Sequence, residues 1–178
     1  MARTLTVNKG GGGTDYTPGW KELVISRAAY GEYNGAKYMD VWFEGYPDNL
    51  NTRIYEKVGT DGEEWAIGQV FRFANAGITG ALAGPDGNLV IKMDDDATQL
   101  KGRMVNGFFY KVGKYSRVLK QFAPTVFKNA AEEFTHEDVE YWKTKAMKFY
   151  TEYVQPKLTN VEDNGEVPPQ ERDSAMPY

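Results

Sequence analysis

Few of the side chains that normally carry covalent or redox chemistry occur in this chain. Among its 178 residues there is no cysteine and one histidine, His136. Lack of cysteine removes disulfide scaffolds, thiolate metal sites, iron–sulfur clusters and thiol nucleophiles. A single histidine removes His–His metal motifs and makes a serine triad hard to build. His136 falls at the first turn of an expected helix, where exposure is its simplest fate. Asp94, Asp95 and Asp96 stand together. Calcium loops space their carboxylates alternately and need a glycine and a distal glutamate in register; neither is found here, so a solvated turn is expected. Glu44, Asp48 and Glu56 are scattered, and nothing pairs them for acid–base work. The glycines at positions 10 to 13 are not a phosphate loop, since no strand leads in and no Gly-Lys-Ser/Thr follows. The expectation is a protein with no catalytic residue, no metal and no cofactor.

Aromatic side chains and unevenly placed charge stand out instead. Aromatics make up 14% of the chain, with twelve tyrosines. Residues 101–128 hold Lys101, Arg103, Lys111, Lys114, Arg117, Lys120 and Lys128 with no Asp or Glu, interleaved with Phe108, Phe109, Tyr110, Tyr115, Phe122 and Phe127. Residues 160–178 hold five acids and one base, so they carry the whole net charge of −4 and residues 1–159 balance to zero. A basic aromatic body beside an acidic tail points to a polyanion partner. Single-stranded nucleic acid requires cations along its phosphates and flat side chains for its bases, each stacked base contributing roughly 1–3 kcal/mol. The outward faces of the expected strands offer Tyr30, Tyr38, Trp42, Arg53, Tyr55, Arg103, Phe109, Lys111, Tyr115 and Arg117, with Lys114 in the turn between the last two strands. Each of these aromatics also has a structural alternative, because aromatic residues favour strands and pack barrels.

The elements that must position these residues follow from periodicity. Residues 1–19, with four consecutive glycines and Pro18, read as a flexible arm. Strands are expected over 23–30 and 37–44 about a turn at 31–35, and a third over 52–57. In the second run Met39, Val41 and Phe43 share one face, and Tyr38, Asp40 and Trp42 the other. The period then lengthens. Asp61 and Glu64 have capping-box spacing, Ile67, Val70, Phe71 and Ala74 repeat at helical intervals, and Gly77 is a natural stop, so a helix is expected over 62–76. Pro85, Asp86 and Gly87 form a turn before a strand over 89–93. Two more strands, 103–112 and 115–122, meet at the tight turn Gly113-Lys114. Thr135 and Asp138 cap a last helix, Phe134 and Val139 fit a hydrophobic staple, and Trp142, Ala146, Phe149, Tyr150 and Tyr153 continue its apolar stripe to Pro156.

Strand–strand–strand–helix–strand–strand is the element order of the OB-fold, a five-stranded Greek-key barrel. The expected class is therefore mainly β with α additions. A flexible arm (1–19) precedes an OB-fold-like barrel (20–127) with one helix between strands three and four. A C-terminal helix (128–156) packs on the barrel, and a disordered acidic tail (157–178) follows. No stretch approaches the ~18 apolar residues of a membrane span, and the first residues lack the apolar core of a signal peptide, so no membrane partner and a cytoplasmic location are expected.

Two resemblances bear on function. The acidic segment closing on Met176-Pro177-Tyr178 resembles the C-terminal tip of bacterial and phage single-stranded DNA-binding proteins. That likeness implies a partner-binding tail that docks on replication, recombination or repair proteins and competes with DNA for the basic groove. Over residues 20–127, Ala29-Tyr30-Gly31-Glu32-Tyr33-Asn34-Gly35, the strand 38–43, Glu64-Trp65-Ala66-Ile67 and Leu100-Lys101-Gly102-Arg103-Met104-Val105 look like phage-encoded single-stranded DNA-binding proteins of small OB-fold type. This implies a non-enzymatic, sequence-independent protein that binds and protects single-stranded DNA during phage replication or recombination, in the host cytoplasm. It does not identify the DNA-contacting residues individually, and self-association is left open. The alternatives are a β-rich interaction or phage assembly module that binds no nucleic acid, and a carboxylate-dependent nuclease built on Asp94–Asp96.

Overall fold

The computed structural model describes residues 15–60, 62, 64–83 and 89–162. In chain order these form β1 (Gly19–Tyr33), β2 (Ala36–Phe43), β3 (Thr52–Tyr55), α1 (Ile67–Phe73), β4 (Ile78–Ala83), β5 (Leu89–Met93) and a 3-10 turn (Ala97–Leu100). There follow β6 (Met104–Val112), β7 (Tyr115–Val118), β8 (Phe127–Lys128), β9 (Glu133–Phe134), α2 (His136–Phe149), a π-helical turn (Tyr150–Val154) and α3 (Gln155–Glu162). No helix among the described residues is long and apolar enough to cross a membrane.

The long β1 organises the molecule. Its first half pairs antiparallel with β6, Trp20 opposite Phe108, and its second half pairs with β2, Ala29 opposite Asp40. The main sheet therefore runs β3-β2-β1-β6-β7, and no ladder joins its two edge strands. It is a mainly β architecture, with the sheet left open rather than closed into the expected barrel. The strand expected over 89–93 is the second arm of a separate hairpin, β4–β5. The first arm was hidden by its composition: Gly80 and Ala81 give little strand signal. The turn at Pro85–Gly87 lies outside the described residues.

Between the two halves of β1 the register shifts at Ser26, leaving one extra residue. Leu23 and Ile25 point into the core before this bulge; after it Ala28 does, and Arg27 and Ala29 turn outward. A bulge bends the strand and reverses which residues face inward, because side chains alternate with a period of two. The turn that follows is shorter than expected. Asn34 (φ 50°) and Gly35 (φ 81°) close it alone, with Tyr33 opposite Ala36. At Gly113-Lys114 the tight turn is as expected, with Gly113 taking the positive φ of 59°. The strand after it ends at Val118 rather than residue 122; the chain bulges and returns to β6 where Ala123 exchanges backbone bonds with Asn106.

The expected helix over 62–76 is confined to α1. Glu64 acts from ahead of it: one carboxylate oxygen accepts from the Gly68 N–H at 2.7 Å, the other from Lys57 at 2.7 Å and Ala66 at 3.1 Å. Asp61 lies outside the described residues. At the far end Asn75 (φ 55°) takes the left-handed position just past the helix, with Gly77 (φ 65°) left-handed two residues further on, and the Ala76 N–H reaches the Phe71 carbonyl at 2.9 Å in a Schellman arrangement. The Thr135–Asp138 capping box of α2 forms as expected. Pro156, however, does not end the helical run. The preceding turn widens to π geometry, with the Gln155 N–H reaching back to Tyr150, and the proline sits in the first turn of α3, where its missing donor costs little. Residues 157–162 are thus helical rather than part of a tail. The expected arm, over its first fourteen residues, and the tail beyond residue 162 lie outside the described residues.

Two apolar clusters hold these parts. One joins the inner face of the sheet to α1 through Ile25, Met39, Val41, Phe43, Phe71 and Phe109. The other lies between the outer face of β6–β7 and the C-terminal helices, through Tyr110, Val112, Leu119, Ala146, Phe149 and Val154. Strand β6 is consequently covered on both sides.

Candidate nucleic-acid interface

Among the described residues no helix packs against β2 or β3 as the C-terminal helices pack against β6, and the outer face of β2, β3 and the end of β1 is taken up by side chains alone. Strand alternation sets Arg27 beside Trp42, Asp40 beside Arg53, and Gly31 beside Tyr38 and then Tyr55. The Arg27 guanidinium lies 3.7 Å from the Trp42 ring centre and 3.5 Å from the Asp48 carboxylate. The Trp42 indole N–H donates to the Asp48 carbonyl at 3.0 Å, which fixes the ring. Alongside, Arg53 donates to both Asp40 oxygens at 2.8 and 3.0 Å while lying 3.8 Å from the Tyr38 ring centre. Hydrogen bonding to Asp40 holds the Arg53 guanidinium above its ordinary pKa, so this cation is permanent. The Tyr38 ring lies over Gly31, where a Cβ would push its tip aside.

Tyr38, Trp42 and Arg53 are therefore brought together as expected. Tyr55 joins them edge-on to Tyr38 at 5.5 Å, but it is 7% exposed and has the Lys120 ammonium 5.8 Å from its ring centre, so it supports the face rather than presenting one. Two expectations are corrected. Phe109 is fully buried, because it shares the inner, core-facing side of β6 with Val105. Tyr30 lies on the opposite face from Tyr38 and Trp42, since it pairs with the core residue Met39 beyond the Ser26 bulge. Its hydroxyl donates to the Asp95 carbonyl at 2.8 Å, and burial, followed by the Asp95 charge, pushes its pKa up to about 12.

The remaining cations sit on the other half of the sheet. Arg103 is exposed at the entry to β6, and Arg117 is half-buried opposite Tyr110. At the β6–β7 tip Lys111 donates to the Ser116 hydroxyl at 2.6 Å, and Lys114 lies 5.5 Å from the ring centre of the exposed Tyr115. Met176, Pro177 and Tyr178 lie outside the described residues. Asp96 caps the 3-10 turn, accepting from the Thr98 N–H at 3.0 Å and hydroxyl at 2.8 Å, which holds its carboxyl below the usual range. Among the described residues no three acidic or histidine side chains are grouped to hold a metal ion, and His136 is exposed.

A cleft of about 590 Å³ opens beside this face, between the end of β3, α1, the segment after β7 and α2. It occupies the seam between the two edges of the open sheet. Among the described residues four lysines line it, Lys57, Lys120, Lys145 and Lys148, together with Glu152 and rings from Trp65, Trp142 and Tyr153. Lys145 lies 5.4 Å from the Trp142 ring centre. The sequence pattern assigns Trp142 and Tyr153 to a core stripe and passes over Lys57, Trp65, Lys145 and Lys148. A signal was present: Trp142, Lys145 and Lys148 recur every three residues, which sets rings and cations on one side of a helix. Compared with known proteins, the chain matches no family model, no curated protein and no solved structure.

Proposed function

We propose that this protein binds single-stranded DNA without sequence preference, along the uncovered outer face of β1–β2–β3, and that it is not an enzyme. The observation that carries the reading is the pair of cation-on-ring stacks, Arg27 on Trp42 and Arg53 on Tyr38, set side by side on that face. Each offers a flat surface for a base, and Arg27, 53% exposed, adds a positive charge for a phosphate while Arg53 is held by Asp40; these are the two requirements of sequence-tolerant single-strand binding. A phosphate approaching Arg27 competes with the exposed Asp48, a weak surface pairing that is readily exchanged. The strand order supports an OB-like ancestry: β3-β2-β1-β6-β7 is the order of a five-stranded Greek-key barrel opened between its third and fifth strands. Lys111, Lys114 and Arg117 would extend the phosphate track past the open face. Docking of replication or recombination proteins on Met176, Pro177 and Tyr178, and a phage origin, rest on resemblance of the sequence.

The test is a binding titration with single-stranded and duplex DNA of equal length across a salt series. Single strands should bind more tightly, with an affinity that falls as salt rises, because phosphate contacts release counterions. Equal affinity for both forms would leave only nonspecific electrostatics and overturn the stacking face.

A further inference from the structure

We infer that the lysine-rich cleft is a pocket for one nucleotide unit, a base with its phosphate, separate from the stacking face of the sheet. The inference rests on the single-strand reading only for the source of that nucleotide. The volume of about 590 Å³ lies within the roughly 300–1,000 Å³ of small-molecule sites. Its two walls differ in chemistry. From the α1 side the indole of Trp65 stands 55% exposed, an unusual state for so large an apolar ring. From the α2 side Lys145 and Lys148 project one helical turn apart and are both exposed. Lys57 and Lys120 also line it. A purely apolar ligand would have no use for Lys145 and Lys148, and a bare anion would have no use for Trp65. A planar ring carrying a phosphate satisfies both walls.

The position of the cleft gives it a supply. Lys120 lines the cleft and also lies 5.8 Å from the ring centre of Tyr55, which meets Tyr38 of the open face edge-on. A strand crossing the face can therefore turn its next base into the seam between β3 and the segment after β7. Because the sheet is not closed there, no backbone ladder blocks the entry.

The experiment uses the full chain, titrated with dTMP, thymidine, inorganic tripolyphosphate and an oligothymidylate, and compared with two variants. Trp65→Ala removes the ring wall, and Lys145→Ala/Lys148→Ala removes the phosphate wall; all three positions are exposed, so the fold should survive, which a melting curve verifies. Trp65→Ala should weaken dTMP and thymidine alike by about tenfold, the loss of one stacked base. The double lysine variant should weaken dTMP about tenfold and leave thymidine unchanged. Both variants should also weaken the oligothymidylate; if dTMP alone is too weak to saturate, the same pattern on the oligothymidylate assigns the pocket to a nucleotide of the bound strand. Unchanged binding of both dTMP and oligothymidylate in the two variants overturns the pocket. So does a lysine effect that is as large on tripolyphosphate and is not accompanied by a Trp65 effect, since that is a charged patch only. Trp42→Ala separates the two readings. Oligothymidylate binding that needs Trp42 but neither cleft wall removes the pocket and keeps the face, whereas the reverse removes the face and keeps the pocket.

Discussion

The two halves of the main sheet share β1, and both turn aromatic rings away from the core, yet those rings end in different company. On the β6 half Phe108 and Tyr110 meet Tyr150 of the π turn at 5.1 and 5.4 Å between ring centres, and Trp20 packs on Phe108 at 5.5 Å. The C-terminal helices cover this half as a roof covers a wall. On the β2 half Tyr38 and Trp42 meet guanidinium groups instead. An outward ring on a strand therefore says little about ligands by itself. The neighbour that satisfies it is informative: an apolar ring marks a face closed by the chain, and a hydrogen-bonded cation marks a face left to water or to a ligand.

The largest expected effect breaks the covered half. Leu119 is 1% exposed between β7 and the helices. Leu119→Ala should cost about 2–5 kcal/mol of unfolding free energy, since the cavity it leaves adds to the lost transfer energy. Chemical denaturation measures it. Under conditions where the variant is folded, its affinity for single-stranded DNA should be unchanged; a fall in affinity with little loss of stability would make the helix side the binding face.

Next in size is the open half. Trp42→Ala and Tyr38→Ala should each weaken single-stranded DNA by about 1–3 kcal/mol, the range for one stacked base. Neither ring is part of the buried core, so stability should fall by less than in the Leu119 variant. A fluorescence anisotropy titration beside a melting curve separates the two quantities. Loss of stability without loss of affinity would make these rings structural and return the open face to the alternative of an interaction module.

Asp40→Asn sharpens the comparison from the other side. The Asp40–Arg53 pair has side chains only 10% and 13% exposed, and its hydrogen bonds are charge-assisted. Asparagine keeps part of that bonding but not the charge, so the expected cost is about 1 kcal/mol of stability. Arg53, released from its counterion, should bind phosphate more strongly, raising affinity and steepening the salt dependence. Weaker DNA binding in a folded Asp40→Asn protein would mean that Arg53 serves the sheet and not the ligand.

What was legible in the sequence follows the same division. Alternation over 38–43 separated Met39, Val41 and Phe43, which pack in the core, from Tyr38, Asp40 and Trp42, because only one side of β2 faces the apolar cluster. The Thr135–Asp138 box and the Gly113 turn were legible because their chemistry is local. Phe109 misled because apolar rings stand on both faces of β6, so alternation does not tell the inner side from the outer. Tyr30 misled because a single extra residue, Ser26, reverses everything beyond it and leaves no mark in composition. Half of the cleft was readable as a helix face, but its other wall comes from β3 and α1, some eighty residues away, and no local pattern joins the two.

The smallest effect belongs to Tyr30, which ties the inner side of β1 to the turn before β6. Its hydroxyl bond to the Asp95 carbonyl is half exposed, so Tyr30→Phe should cost only about 0.5 kcal/mol at neutral pH, the low end for a neutral hydrogen bond. The pH dependence is more telling. Burial and nearby carboxylates raise this phenol from 10.0 to about 12, so between those values the folded chain keeps a proton that the unfolded chain has released. The contribution of this phenol therefore stays level below about pH 10 and is lost as pH rises toward 12, because the folded state binds more protons there. Tyr46 is raised as well, by burial and by Asp15, so part of the decline must survive the substitution. The expected result is a stability difference between the native protein and Tyr30→Phe that is constant below pH 10, narrows above it and reverses in favour of Tyr30→Phe toward pH 12. Parallel curves through pH 12 would show that the hydroxyl is not held against Asp95, and DNA affinity indistinguishable from that of the native protein would place Tyr30 outside the binding face.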